Sequence, residues 1–250
     1  MKIRLSILSL LSRFGYEVRK VESTSLSRFV DIKDPELYCP LFSPWYAKGD
    51  FSDLYQKIFK TTLVSIEGCY VIYTLLKQAL SIKGDIWECG VYRGGTAYLM
   101  SSIIAKRKSE KKLFLFDTFS GMPETNSNKD FHVKGDFKNT SLEEVKAFIQ
   151  NDAICFYQPG LIPETFMGLE KRRIAMAHID LDIYQSIMDS LTFIWPRLSS
   201  GGIILFDDYG MPTCAGARQA VDEFFVDKKE QPLCLSTGQA MVIKLGEDQE

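Results

Sequence analysis

Asp180, Asp182, Asp207 and Asp208 are the residues whose types and spacing speak most clearly of chemistry. The first two fall in His178-Ile179-Asp180-Leu181-Asp182-Ile183-Tyr184, directly after Arg173-Ile174-Ala175-Met176-Ala177. The other two close Gly201-Gly202-Ile203-Ile204-Leu205-Phe206-Asp207-Asp208-Tyr209. Short apolar runs bounded by turn signals suit buried parallel strands. In an open α/β sheet, ligands bind at the carboxyl ends of such strands. Two adjacent strands would then deliver four carboxylates to one rim. Crowded carboxylates repel unless a cation or a shared proton relieves them. Oxygen-only donors, with His178 the one nitrogen nearby, favour a hard cation such as Mg²⁺. Helix capping accounts for one aspartate per strand. It accounts poorly for two strands that each carry a pair.

A second constellation is Glu88-Cys89-Gly90-Val91-Tyr92-Arg93-Gly94-Gly95-Thr96. A dinucleotide fingerprint needs glycine where Tyr92 stands, so that the backbone can approach a pyrophosphate. The phosphate-cradling pattern that ends in Lys-Ser/Thr is absent as well. Taken alone, this turn is as well explained by a tight strand-to-helix connection as by a ligand. Two acids shift that balance. Glu88 closes one strand beside the turn, where a carboxylate can meet an ammonium. Asp117 closes the next, where an acid can accept both hydroxyls of a ribose. A ligand with an amino-acid end, a nucleoside end and no phosphate satisfies both, and S-adenosylmethionine is one. Gly90, Gly94, Gly95, Thr96 and Ser120 join Glu88 and Asp117 as candidate contacts to it.

These residues need a frame to hold them. Strands are expected at 85–89, 112–117, 154–157, 173–179 and 201–206. The expected helices lie at 53–59, 66–80, 96–106, 141–149, 186–198 and 216–225. Ser141 stands three residues before Glu144, a capping pattern. Two short β runs, 232–235 and 240–245, flank Ser236-Thr237-Gly238-Gln239 and read as a hairpin. Alternating strands and helices predict an α/β protein with a doubly wound, mostly parallel, seven-stranded sheet and an antiparallel C-terminal edge. Residues 51–250 form this domain. Residues 1–50 form an N-terminal addition: an amphipathic helix through Ile3, Ile7, Leu10, Leu11 and Phe14, then an irregular stretch rich in proline and aromatics. The Thr118–Asn139 stretch is a long loop positioned to close over the site. His132 and Lys134 within it read as solvated surface, and His178 reads as packing.

The chain has 250 residues, a net charge of −2 and a hydrophobic fraction of 46%. These values accommodate a large core and exclude a general nucleic-acid binder. Six cysteines lie far apart with no Cys-x-x-Cys. They read as free thiols in a reducing compartment, hence a cytoplasmic protein. No run approaches the roughly 20 apolar residues of a membrane span. Homo-oligomerisation is left open.

Four segments together resemble the macrocin O-methyltransferase (TylF-type) family. They are Glu88-x-Gly90-x-x-x-Gly94-Gly95, Asp117-Thr118-Phe119-x-Gly121-x-Pro123, His178-Ile179-Asp180-Leu181-Asp182-x-Tyr184 and Gly201-Gly202-x-x-x-x-Asp207-Asp208-Tyr209-Gly210. The resemblance runs from about Phe51 to Leu245. It implies a class I, Rossmann-like methyltransferase fold and Mg²⁺-assisted transfer from S-adenosylmethionine to a hydroxyl, often on a sugar. Asp180, Asp207 and Asp208 match that family's metal ligands, and Asp182 matches its proposed general base. Read from the sequence alone, Asp182 serves equally as a cap on the following helix. Two rivals are a nicotinamide-dependent oxidoreductase and a non-catalytic α/β binding domain. Tyr92 and the lack of a Tyr-x-x-x-Lys pair oppose the first. The second leaves the aspartate cluster without a purpose.

Overall fold

The computed structural model of the protein describes residues 44–246. The amphipathic segment ending at Phe14 and the proline-rich stretch through Phe42 lie outside the described residues. The compact unit described here begins at Pro44. Trp45 already packs on its core, edge-on to Tyr70 with ring centroids 6.1 Å apart.

Chain order is α1 (Asp50–Ile58), α2 (Ile66–Ala79), β1 (Asp85–Cys89), α3 (Gly95–Lys106), β2 (Leu113–Asp117), α4 (Leu142–Ile149), β3 (Cys155–Pro159), β4 (Ile174–Ile179), α5 (Tyr184–Ile194), β5 (Leu198–Phe206), α6 (Ala215–Phe225), β6 (Leu233–Cys234) and β7 (Ala240–Ile243). The seven strands lie in the order β3-β2-β1-β4-β5-β7-β6. β1 to β5 are parallel, and β7 runs antiparallel to both β5 and β6. The expected sheet and its antiparallel edge are both present. From β1 the chain builds outward through β2 and β3, then resumes on the other side at β4. The β1/β4 boundary is therefore the topological switch point, where such sheets bind ligands.

All six residues of β4 are buried, as a strand covered on both faces requires. Strand alternation divides the core. Ile86, Leu115, Met176 and Leu205 face α1 to α4, whereas Trp87, Phe116, Ala177 and Phe206 face α5 and α6. Among the described residues, no helix is long and apolar enough to cross a membrane.

Several boundaries differ from the sequence reading, each for a non-local reason. β5 begins at Leu198, not at Gly201, because Leu198 pairs with Ile174 at the start of β4, before a register shift brings Ile203 opposite Met176. β3 continues to Pro159, since an edge strand tolerates a proline whose missing N–H faces outward. α5 begins at Tyr184 because Asp130, 54 residues earlier, accepts its N–H at 2.8 Å. Ser65 and Ser141 cap α2 and α4 through bonds from Gly68 and Glu144.

Candidate active site

β4 ends at Ile179 and β5 at Phe206, so Asp180 and Asp207 are the first residues past their strands. Both are anchored by backbone. Asp180 N–H donates to Cys89 C=O at 2.8 Å, and Asp207 N–H donates to Ile179 C=O at 2.9 Å. Gly90 makes the first approach feasible. It has φ +91°, and a Cβ there would lie 1.7 Å from the Asp180 carbonyl oxygen. Asp208 turns back across the rim. Its Oδ2 accepts from Leu181 N–H (3.0 Å) and Asp182 N–H (2.8 Å), holding Asp182 in the left-handed region at φ 61°. Adjacent side chains normally diverge along a strand. Asp207 and Asp208 converge because the strand has ended. Asp180, Asp207 and Asp208 each place an oxygen within 4.8 Å of the others.

This cluster is electrostatically frustrated. Burial, then the charges of Asp208, Asp207 and Asp182, push the Asp180 carboxyl well above its usual range. Burial, then Asp182 and Asp207, do the same to Asp208. A hard divalent cation relieves such crowding, and three converging carboxylates are the donor set it favours.

His178 ties the cluster to β1. The ring is fully buried, with Nδ1 3.1 Å from Glu88 Oε1 and Nε2 3.4 Å from Asp207 Oδ1. Gln239 donates to that same Asp207 oxygen at 2.6 Å. Burial opposes the charged ring, but bonds to Asp207 and Glu88 outweigh it and raise its pKa to about 9. His178 is therefore a buried link between two acids, more than the packing read from the sequence.

These shifts set a pH dependence for the metal-free protein. The raised carboxyls of Asp180 and Asp208 cost nothing below 3.8 and destabilise progressively as pH climbs through their elevated pKa values. His178 stabilises fully below 6.5 and loses that contribution as pH rises through about 9. Both slopes point the same way. The melting temperature in chelator should fall between pH 6.5 and pH 9, and the fall should be shallower with Mg²⁺ present. Thermal melts at fixed ionic strength check this, and a flat profile in chelator would refute it.

On the other side of the switch point, Asp117 organises the turn after β1. Its Oδ2 accepts from Val91 N–H (2.7 Å) and Tyr92 N–H (2.9 Å), and its Oδ1 accepts from Phe119 N–H (2.7 Å). The Thr140 hydroxyl closes on the Tyr92 carbonyl. Glu88 is completely buried, and its Oε2 has no hydrogen-bond partner. Burial raises its pKa, while His178 opposes the rise. An orphaned buried carboxylate oxygen beside this turn is what the ammonium of an amino-acid ligand would satisfy.

The structure sorts the remaining candidates. Gly90, Thr96 and Asp117 line a cavity of about 300 Å³ that continues to Asp180, Asp182, Asp207 and Asp208. Glu88 stands behind the cavity wall. Gly94 and Gly95 serve packing: a Cβ on Gly95 would lie 2.7 Å from Thr62 Cβ, and one on Gly94 would lie 3.1 Å from Val145 Cγ1. Ser120 is exposed and outside the lining, with its N–H bonded to Thr118 Oγ1. Asp182 does not cap α5, because the Tyr184 N–H goes to Asp130 and Ile183 holds the cap position. That leaves its side chain to the cavity.

Asp117→Ala should free three amides at once, so the turn after β1 loses its shape as well as an acid. We expect donor affinity to drop by about 10-fold or more, with acceptor affinity little changed. Calorimetry with each ligand separately is the check, and equal losses would count against the assignment.

Two lining residues escaped the sequence reading. His132 belongs to the long loop, yet its side chain is only 14% exposed, and its Nε2 lies 3.7 Å from Asp182 Oδ1. Cys214 precedes α6 and donates its thiol to Asp182 Oδ1 at 3.3 Å. They lie 82 positions apart, and no local spacing links them. Thr61, Thr62, Leu63 and Val64 supply another wall, and Met122, Pro123, Phe137 and Thr140 supply part of the loop side.

This sheet order, with a cavity at the switch point and acids on both sides of it, defines a class I methyltransferase fold. Residues 70–234 match the family model of the macrocin-O-methyltransferases (TylF), and the chain belongs to that family. Among curated relatives is a tetracenomycin-type rhamnosyl 4'-O-methyltransferase of Streptomyces olivaceus, 31% identical over 168 residues, or 62% of each chain. A demethyldecarbamoylnovobiocin O-methyltransferase of Streptomyces niveus is 30% identical over 58% of this chain and 59% of its own. The chain thus spans about three fifths of the length of the curated relatives it matches. The solved structure of the O-methyltransferase NovP superposes with a TM-score of 0.67 at 25% identity, covering 74% of this chain and 83% of that one. The calicheamicin methyltransferase CalS11 shares the fold over 90% of this chain and 99% of that one, with a TM-score of 0.61 at 18% identity.

Proposed function

We propose that this protein transfers a methyl group from S-adenosylmethionine to a hydroxyl of a sugar, assisted by a divalent cation, with Mg²⁺ the favoured ion. One observation carries the reading: a single cavity joins the turn after β1 to the rim of Asp180, Asp207 and Asp208, in a chain of this family. The relatives named as sugar or antibiotic O-methyltransferases support the acceptor class. S-adenosylmethionine supplies an electrophilic methyl group, and a cation held by the three aspartates supplies the Lewis acidity that lowers a hydroxyl pKa.

The chain's own residues do the rest. The turn from Gly90 to Tyr92, shaped by Asp117, seats the nucleoside end of the donor. Glu88 Oε2, behind it, answers the donor's positive amino-acid end. Asp182 faces the cavity and takes the acceptor proton. Burial raises its carboxyl pKa above the usual range, against the lowering effect of His132, and a carboxylate so raised is the better base near neutrality. The loop carrying Met122, His132 and Phe137 closes one side and excludes water, which protects the in-line geometry.

The test joins binding with turnover. S-adenosylmethionine should bind in calorimetry and NADH should not. Methyl transfer should appear in a screen of vicinal-diol sugars and nucleotide sugars, and only with a divalent cation. Binding of NADH alone would return the oxidoreductase reading. Full activity in EDTA would remove the cation from this one.

A further inference from the structure

His132, Asp182 and Cys214 come from three separate segments: the long loop, the turn after β4 and the residue before α6. Their donor atoms form a compact triangle. His132 Nε2 is 3.7 Å from Asp182 Oδ1, Cys214 Sγ is 3.3 Å from that same oxygen, and Sγ is 3.9 Å from Nε2. Zinc bonds of about 2.0–2.1 Å to nitrogen and oxygen and about 2.3 Å to sulfur, at tetrahedral angles, set ligand separations of about 3.3–3.6 Å. The observed triangle is within a few tenths of an ångström of that.

A second observation, outside the triangle, points the same way. Asp136 Oδ2 lies 3.1 Å from His132 Nδ1 and is itself fixed by the Val133 N–H at 3.1 Å. A carboxylate beside Nδ1 accepts a hydrogen bond from the N–H there and so favours the tautomer with its proton on Nδ1. It leaves the Nε2 lone pair facing Asp182 and Cys214, the carboxylate–histidine arrangement that orients metal-ligating imidazoles. A lone pair aimed at a carboxylate oxygen calls for a cation or proton between them. A nitrogen, sulfur and oxygen set selects a borderline-soft ion. The all-oxygen set of Asp180, Asp207 and Asp208, beginning two residues earlier on the same turn, selects a hard one.

We propose that His132, Asp182 and Cys214 form a second metal site, selective for Zn²⁺ or a similar borderline-soft ion, with its fourth position open to the cavity. Cys214 gives up its thiol proton to solvent on binding. The ion occupies the oxygen with which Asp182 would accept a proton, so occupancy switches methyl transfer off. This inhibitory half rests on the function proposed above, whereas the site itself does not.

The experiment uses the full chain saturated with Mg²⁺, to fill the three-aspartate rim, and titrated with Co²⁺ as a coloured stand-in for zinc. A near-ultraviolet thiolate-to-cobalt band should grow to one equivalent and be displaced by Zn²⁺. Cys214→Ser should abolish the band, and Asp136→Asn should weaken Zn²⁺ binding by about 10–100-fold. No band in the wild type would overturn the site, and so would a band that survives in Cys214→Ser, which would belong to another thiol such as the exposed Cys234. One equivalent of Zn²⁺ should cut methyl transfer about 10-fold or more. Unchanged transfer while the band is present would overturn the inhibitory half. Absence of any transfer from zinc-free protein would overturn the functional reading and that half with it, while the cobalt band still decides the site.

Discussion

Asp208→Asn is expected to leave the protein folded and to lower turnover by about 10³-fold or more, the scale of losing a preorganised electrostatic contact at a reacting centre. The two effects separate because Asp208 has two tasks. Through Oδ2 it accepts the Leu181 and Asp182 N–H groups, and an asparagine carbonyl can accept both. Its charge does something else. In the metal-free protein that charge is a burden, since burial and two neighbouring aspartates already push its pKa up. Neutralising it should keep or raise the melting temperature in chelator while abolishing the rise that Mg²⁺ produces by binding the native state. Asp180→Asn should behave alike, for the same electrostatic reason. Thermal melts with and without Mg²⁺, paired with initial rates, read out both tasks. A variant that retains the wild-type rate, or a wild type indifferent to EDTA, would dismiss the cation from the reaction.

The frame was legible because it depends on local patterns. Apolar runs with acids at their ends mark β1, β2, β4 and β5, and two such ends side by side place the rim. What stayed hidden was assembled across distance. Asp130 starts α5 from 54 residues away, so the helix begins two residues before its expected start. β5 is lengthened by pairing of Leu198 with Ile174, which no window around Gly201 contains. Glu88 and His178 pair because β1 and β4 are in register at those residues. In the sequence they are 90 positions apart, and His178 looked like filler. The glycines of the turn after β1 divide between cavity and packing. Of those three, Gly90 lines the cavity, while Gly94 and Gly95 let α3 pack against Val145 and the Thr61–Thr62 segment. His132 looked like solvated loop because a loop's polarity does not reveal which way it folds.

Asp182→Asn is expected to cost about 10²–10⁴-fold in turnover, the range for removing a general base, with donor affinity unchanged. The substitution is conservative where it needs to be. Asp182 sits at φ 61°, a left-handed conformation that asparagine tolerates. The Asp182 N–H bond to Asp208 is backbone and survives, and an asparagine Oδ1 still accepts the Cys214 thiol. What is lost is the ability to hold a proton. The pH profile then discriminates. In the wild type, transfer should rise with pH as the Asp182 carboxyl, held high by burial, gives up its proton. In Asp182→Asn that limb should vanish along with most of the rate. Asp182→Ala adds a backbone penalty of about 1–2 kcal/mol for a left-handed alanine, so it should also melt earlier, and the asparagine variant should not. A rate for Asp182→Asn within about threefold of wild type, too small for the loss of a base, would reduce Asp182 to a turn residue and move proton acceptance to His132, the cavity-lining ring 3.7 Å away.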